Sequence, residues 1–312
     1  TRQSTLIPLN VSDVRRLKLT WAFGFPGAYA TFGQPTVYRE RVFAGSEDGT
    51  VYSLDAKTGC IYWTYKAPST VKTAVSIGLK GRDAFFGDVS GNVYVANALT
   101  AALIWKVHVD PHPAARITGS PLLWHGRLYV PVSSGEEGAA IDRAHRGRVV
   151  WGSRIGKGGP LGGIEWGGAT AGRSVVFPLS DWQDGNPNAG GGLFALQIAT
   201  GKQVWYAPPA KPDCASQVGC SAAQMAPVTA VPGVVFSGSE DGHVRAYAAR
   251  NGKLLWDFDT ARDFQVVNGV KARGGSLNAT GPAIVGGMLY LDAGYTNGLA
   301  GNVLLAFAVD GK

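Results

Sequence analysis

The sequence is short of charge. Lys and Arg number 29 and Asp and Glu 22, so charged residues make up only 16% of the 312 positions. A chain with 45% hydrophobic residues and so few charges folds around a core and is not disordered. Long apolar runs are also missing. No run approaches the roughly 18 residues that would span a bilayer, so no membrane span is expected. The opening TRQSTLIPLN has no basic stretch followed by an apolar one, so no signal peptide is visible, and a processed start is equally compatible. No CxxCH occurs, which excludes covalent c-type haem on these residues. Glycine has no triplet period, which excludes collagen. His108 and His112 are four apart, but Pro111 and Pro113 break the helix that would align them as metal ligands.

Only three cysteines are present. Cys214 and Cys220 lie six apart in the polar stretch PDCASQVGC. They read either as a short loop-closing disulfide, which would point to a periplasmic or extracellular setting, or as two free thiols. Cys60, inside an apolar run, is expected to be a small core residue. The formal charge is +7, but the basic residues are scattered apart from Arg15-Arg16-Lys18 and Arg143–Arg148. Without a zinc-finger or RNA-binding signature this reads as solubility and weak steering, and no nucleic-acid partner is expected.

Glycine (44) and aromatics (9 Trp, 11 Tyr, 12 Phe) are abundant, as short strands and tight turns require. The strongest signal is internal repetition. Val42–Trp63 reads VFAGSEDGTVYSLDAKTGCIYW, and Val235–Trp256 reads VFSGSEDGHVRAYAARNGKLLW. Each is an apolar strand, a Gly-Ser-Glu-Asp-Gly turn, an alternating strand, a second glycine turn, and a strand ending in Trp. Weaker copies run over Phe85–Trp105, Leu193–Trp205 and Ile141–Trp151. Leu17–Phe23 looks like a last strand alone, and Met288–Lys312 like a unit lacking its last strand. The N-terminal strand is therefore expected to complete the last sheet and close a ring.

The repeat tryptophans Trp21, Trp63, Trp105, Trp151, Trp205 and Trp256 are spaced 42, 42, 46, 54 and 51 residues apart. That spacing, with four short strands per unit, predicts an all-β propeller of six visible blades over 1–312 as one domain, each tryptophan packing between blades.

SLDAKTGCIYW and ALQIATGKQVW approach the pattern Ala-x-Asp-x-x-x-Gly-x-x-x-Trp. This resembles the tryptophan-docking motif of pyrroloquinoline quinone (PQQ) dehydrogenase-like propellers. LKLTWAFGFPG, PHPAARITGSPLLWHGRLYVPVSSGEE, GGPLGGIEWGG, VPGVVFSGSEDGHVRAY and GNVLLAFAVDGK narrow the resemblance to polyvinyl-alcohol dehydrogenases and related quinoprotein alcohol dehydrogenases. The resemblance implies PQQ and calcium as cofactors, a secondary or polymeric alcohol as substrate, and an external electron acceptor such as a cytochrome c. It implies Glu137 as a calcium ligand, with Glu136 a substitute, and Thr118, Lys72, Glu165, Trp166 and Gln224 around the cofactor. Each also has a plain structural reading, as a solvated loop carboxylate, a strand-end hydroxyl or a surface lysine. Such propellers usually have eight blades. The stretch SGEEGAAIDRAHRGR lacks the alternating strand core, so about two blades are expected to be absent near Ala139–Asp142, with exact six-fold closure as the competing reading. The family's aspartate base has no match, and Asp142, Asp181, Asp184 and Asp292 cannot take that role without geometry. The alternative is a non-catalytic propeller used as a protein-interaction scaffold.

Overall fold

A computed structural model describes residues 9–78, 81–109, 116–124, 127–130, 153, 155–156, 161, 163–183, 185–214 and 217–311. The chain divides into two compact units. One comprises Thr1–Thr31 with Val150–Lys312, and the other Phe32–Val149.

In the Phe32–Val149 unit, β2 (Thr36–Tyr38), β3 (Arg41–Gly45), β4 (Thr50–Asp55) and β5 (Ile61–Lys66) form one antiparallel sheet in chain order. A second has β6 (Ser76–Ile77), β7 (Asp83–Gly87), β8 (Asn92–Asn97) and β9 (Leu103–His108). β10 (Leu122–Trp124) and β11 (Arg127–Tyr129) form a hairpin. In the other unit the one-turn helix α1 (Val11–Val14) precedes β1 (Leu17–Gly24). Two sheets follow the same meander: β12 (Ala169–Ala171), β13 (Ser174–Leu179), β14 (Gly192–Gln197) and β15 (Gln203–Ala207), then β16 (Thr229–Val231), β17 (Val234–Gly238), β18 (His243–Ala248) and β19 (Leu254–Asp259). A small hairpin of β20 (Asp263–Phe264) and β21 (Ala272–Arg273) leads to β22 (Ala283–Val285), β23 (Met288–Ala293) and β24 (Val303–Val309).

The last sheet is completed from the other end of the sequence. β1 pairs antiparallel with β24 from Leu17↔Val309 to Gly24↔Val303, giving the order β1-β24-β23-β22. An all-β chain of four-stranded meander sheets is the architecture of a β-propeller. Five complete blades are described. The hairpin β10–β11 precedes the expected sixth blade's second half, whose Ile141–Trp151 lies outside the described residues, as do Ala139–Asp142. No described helix is long and apolar enough to cross a membrane.

The GSEDG turns form as the sequence requires. Asp48 accepts the N–H of Thr50 at 2.9 Å, and Asp241 that of His243 at 3.1 Å, while Gly49 and Gly242 take φ of +88° and +80°. The middle strands β4 and β8 are buried on both faces, not on alternate residues, because blades have a neighbour on each side. Trp63 donates its indole N–H to Ala98 O (3.0 Å) on the next sheet, and Trp205 to Ala249 O (2.8 Å). Trp21 lies against Tyr290, and Trp256 packs edge-on to Phe307.

Two expectations are corrected. Trp105 is 42% exposed, because no described residue offers it the neighbouring turn carbonyl that Trp63 and Trp205 find, and all of β9 faces solvent. Cys60 is an exposed free thiol, because it sits in the turn before β5, an outermost strand whose first residues Ile61 and Tyr62 are also exposed.

Candidate active site

Antiparallel strands alternate direction, so in each blade the second-to-third-strand turn and the exit from the fourth strand lie at the same end. In the unit built from Thr1–Thr31 and Val150–Lys312, this end collects the stretch 163–168, the Ser239–Gly242 turn and the loops 208–228, 260–282 and 294–302.

The turn between β17 and β18 is anchored from beneath. Arg245 donates to Asp241 (Nη2–Oδ2 2.7 Å) and to Asp257 (Nε–Oδ2 3.1 Å), and His243 Nδ1 lies 2.7 Å from Asp257. Burial works to lower the His243 pKa, but the hydrogen bond with Asp257 and the charge of Asp241 outweigh it and raise it. These bonds consume Asp241 and leave its neighbour Glu240 facing the loops. The Glu240 N–H donates to Ala223 O (2.9 Å), and Ser276 Oγ donates to Glu240 O (2.6 Å).

From Glu240 a polar chain runs outward. The Asn278 amide donates to the Glu240 carboxylate and lies 3.0 Å from Met225 Sδ. The Trp166 indole N–H donates to Asn278 Oδ1 at 3.0 Å, with the ring 49% exposed. Glu165, beside it, is half-buried, and its Oε1 has no hydrogen-bond partner. Burial raises the Glu165 pKa, against a smaller opposing effect of the Ser180 hydroxyl. Burial also pushes Glu240 up to about 7; Asn278 and Ser276 oppose this, and the charges of Glu165 and Asp241 add to it. Tyr295 is raised by burial and then by Glu240 and Glu165. The loops therefore hold two carboxyls, the charge of Glu165 acting on Glu240, next to an exposed indole face. Perturbed carboxyls in one cluster mark a candidate site for proton transfer or for binding a hard cation.

The structure brings Glu165 and Trp166 into this cluster. Gln224 lies alongside but is spent within the sheet: it accepts from Ser237 Oγ (2.9 Å) and donates to Tyr247 OH (3.4 Å). Lys72 and Thr118 belong to the other unit. Lys72 Nζ sits 4.0 Å from the centre of the Phe32 ring, and Thr118 is exposed beside buried Ile117. Glu136, Glu137, Asp142 and Asp184 lie outside the described residues. Asp181 is buried with φ +42°, and Asp292 is buried with neither carboxylate oxygen partnered. Among the described residues, no three His, Cys, Asp or Glu side chains are placed to hold a metal. Cys214 and Cys220 form a disulfide in the 208–228 loop.

Sequence reasoning missed Glu240 and Asn278. Glu240 sits in a turn motif shared with the half-buried Glu47, and Asn278 reads as a sequon. Their one sequence signal is proximity to glycine-rich connections.

Comparison with known proteins identifies the family of the chain. The PQQ_2 family profile, described as outer membrane protein assembly factor BamB, matches residues 18–205 and 169–291. The chain is 27% identical to a polyvinylalcohol dehydrogenase of Pseudomonas sp over 481 residues, 97% of this chain and 74% of the relative. It is 27% identical over 487 residues to a polyvinylalcohol dehydrogenase of Sphingopyxis sp. (strain 113P3), 97% of this chain and 74% of the relative. Both alignments are more than half as long again as the chain, so each relative carries residues with no counterpart here. Among solved structures, the quinohemoprotein alcohol dehydrogenase from Comamonas testosteroni superposes with a TM-score of 0.58 at 14% identity, covering 100% of this chain and 79% of that one. The blade repeat, the closing β1–β24 pair and these matches agree: the chain belongs to the PQQ_2 family and is a PQQ dehydrogenase-like β-propeller, similar to the polyvinylalcohol dehydrogenases.

Proposed function

We propose that this protein is a quinoprotein alcohol dehydrogenase that oxidises a secondary or polymeric alcohol and passes electrons to an external acceptor such as a cytochrome c. The single observation that carries the reading is the Trp166–Asn278–Glu240 hydrogen-bond chain, which sets an aromatic face and the Glu240 carboxyl, with Glu165 next to Trp166, at the loop end of the blades.

PQQ fits these residues, whereas calcium rests on the resemblance alone, since no three His, Cys, Asp or Glu side chains among the described residues are placed to hold a metal. The buried, unpartnered Glu165 Oε1 is open to accept a proton, and the half-exposed Trp166 ring offers a flat surface for a planar ring system. When bound, PQQ and calcium supply the electron sink and the Lewis acid for alcohol oxidation. Trp166 would stack, and Asn278 fixes its ring. Glu165, its pKa raised by burial, would take up the hydroxyl proton. Glu240, pushed up to about 7, stays partly protonated at neutral pH, which limits the negative charge beneath it. Glu137, Lys72, Thr118 and Gln224 remain proposed contacts from the resemblance alone. The reading of 1–312 as one propeller domain missing about two blades near Ala139–Asp142 is supported by the surplus length of both relatives. The Cys214–Cys220 disulfide supports a periplasmic or extracellular setting.

The test is dye-linked oxidation of 2-propanol and of polyvinyl alcohol by the full chain with added PQQ and Ca²⁺, with native mass spectrometry alongside. A PQQ mass adduct, with activity that Glu165→Gln lowers by about 100-fold, is expected. No adduct and no turnover would sink the reading. A second reading, a non-catalytic scaffold, is favoured by the BamB description of the matching family. It requires a stable protein partner and no bound quinone.

A further inference from the structure

The blade β16–β19 carries a groove at its other end. The β16–β17 turn at Pro232 and Gly233 and the β18–β19 turn at Arg250 and Asn251 lie at the opposite end from Glu240. Two adjoining hollows open there, of about 590 and 410 Å³, sharing Gly233 and Arg250. Arg173 and Arg250 line the first, and Arg15, Arg250 and Lys253 the second, with no Asp or Glu lining either. All four cations are exposed, and among the described residues none forms an ion pair. The floor is apolar, formed by Ala230, Val231 and Leu255.

We propose that this groove binds an extended acidic peptide segment of a partner protein, its acidic side chains on the four cations and its apolar ones on the floor. Charge complementarity selects the occupant. Four unpaired cations around one groove, in a chain with few charges, set a local potential that draws anions. The shape selects a peptide. Ala230 and Val231 are buried and recessed, whereas a lipid surface would need apolar groups that protrude. No aromatic side chain lines either hollow, so unpaired bases find nothing to stack on. The groove is independent of the quinone reading, since it lies at the other end of the blade.

The experiment is fluorescence anisotropy of a short fluorescein-labelled peptide of alternating Glu and Leu, titrated with the full chain at low and at physiological salt. Saturable binding is expected, weakened by salt and weakened about tenfold by Arg250→Glu. Arg173→Gln should weaken it less, and Lys57→Glu, the same charge change elsewhere, should leave it unchanged. Circular dichroism confirms that each variant folds. The proposal is overturned if binding does not saturate, if Arg250→Glu binds as the parent does, or if phosphatidylglycerol vesicles bind there and the peptide does not displace them.

Discussion

Trp166 donates its indole N–H to Asn278 Oδ1 at 3.0 Å, joining residues 112 positions apart. The same Asn278 donates to Glu240. One amide thus fastens the stretch before β12 and the β17–β18 turn to the loop before β22. Trp166→Phe keeps an aromatic face but leaves Asn278 Oδ1 without its donor. PQQ affinity is expected to fall about tenfold while the thermal midpoint drops little, because one hydrogen bond contributes about 1 kcal/mol. Fluorescence titration with PQQ checks this; unchanged affinity would separate Trp166 from the ligand site.

Glu240 makes stability depend on pH in a defined direction. Its pKa rises from 4.5 in the unfolded chain to about 7 in the folded one, so the folded state holds more protons between those values. Stability therefore falls as pH rises from about 4.5 to 7 and levels off above. Glu240→Gln should flatten this part of the curve and raise stability above pH 7 by on the order of 3 kcal/mol. Urea unfolding at several pH values measures it.

Asp292 shows the same sign, with burial as its sole cause. It is fully buried, neither oxygen has a partner, and burial alone raises its pKa well above 3.8. Asp292→Val removes an unsatisfied polar group from β23 and suits a strand. It should stabilise by about 1–3 kcal/mol, read as a higher thermal midpoint. A lower midpoint would mean that the carboxyl has a bonded partner in solution.

Trp205 docks on Gly252. A Cβ there would press on the indole ring, and the backbone φ of +70° already disfavours any side chain. Gly252→Ala is expected to destabilise by at least about 1–2 kcal/mol, the cost of the left-handed conformation before any clash is added. Gly172→Ala, at φ +63° in open space, isolates the backbone cost alone. Equal losses in calorimetry would show that the indole contact adds nothing.

The repeat made the blades legible. Val235–Trp256 already contains β17, its Asp-Gly turn, β18 and the start of β19, because period-two strands and glycine turns are local codes. The innermost strands β2, β6, β12, β16 and β22 were not legible: two or three residues carry no period. The β20–β21 hairpin escaped for the same reason. Glu165 and Trp166 could be singled out as an unusual pair between glycines. Glu240 could not, since GSEDG reads identically at Glu47 and at Glu240, and only the second is buried.

By itself, then, the sequence determined the blade type and the closing of β24 by β1, both of which follow from local turn chemistry and a repeating pattern of apolar residues. Only the tertiary structure decided which of two identical turns buries its glutamate, and which cations surround a groove. Burial and charge proximity depend on what neighbouring blades place against a residue, and no local pattern encodes that.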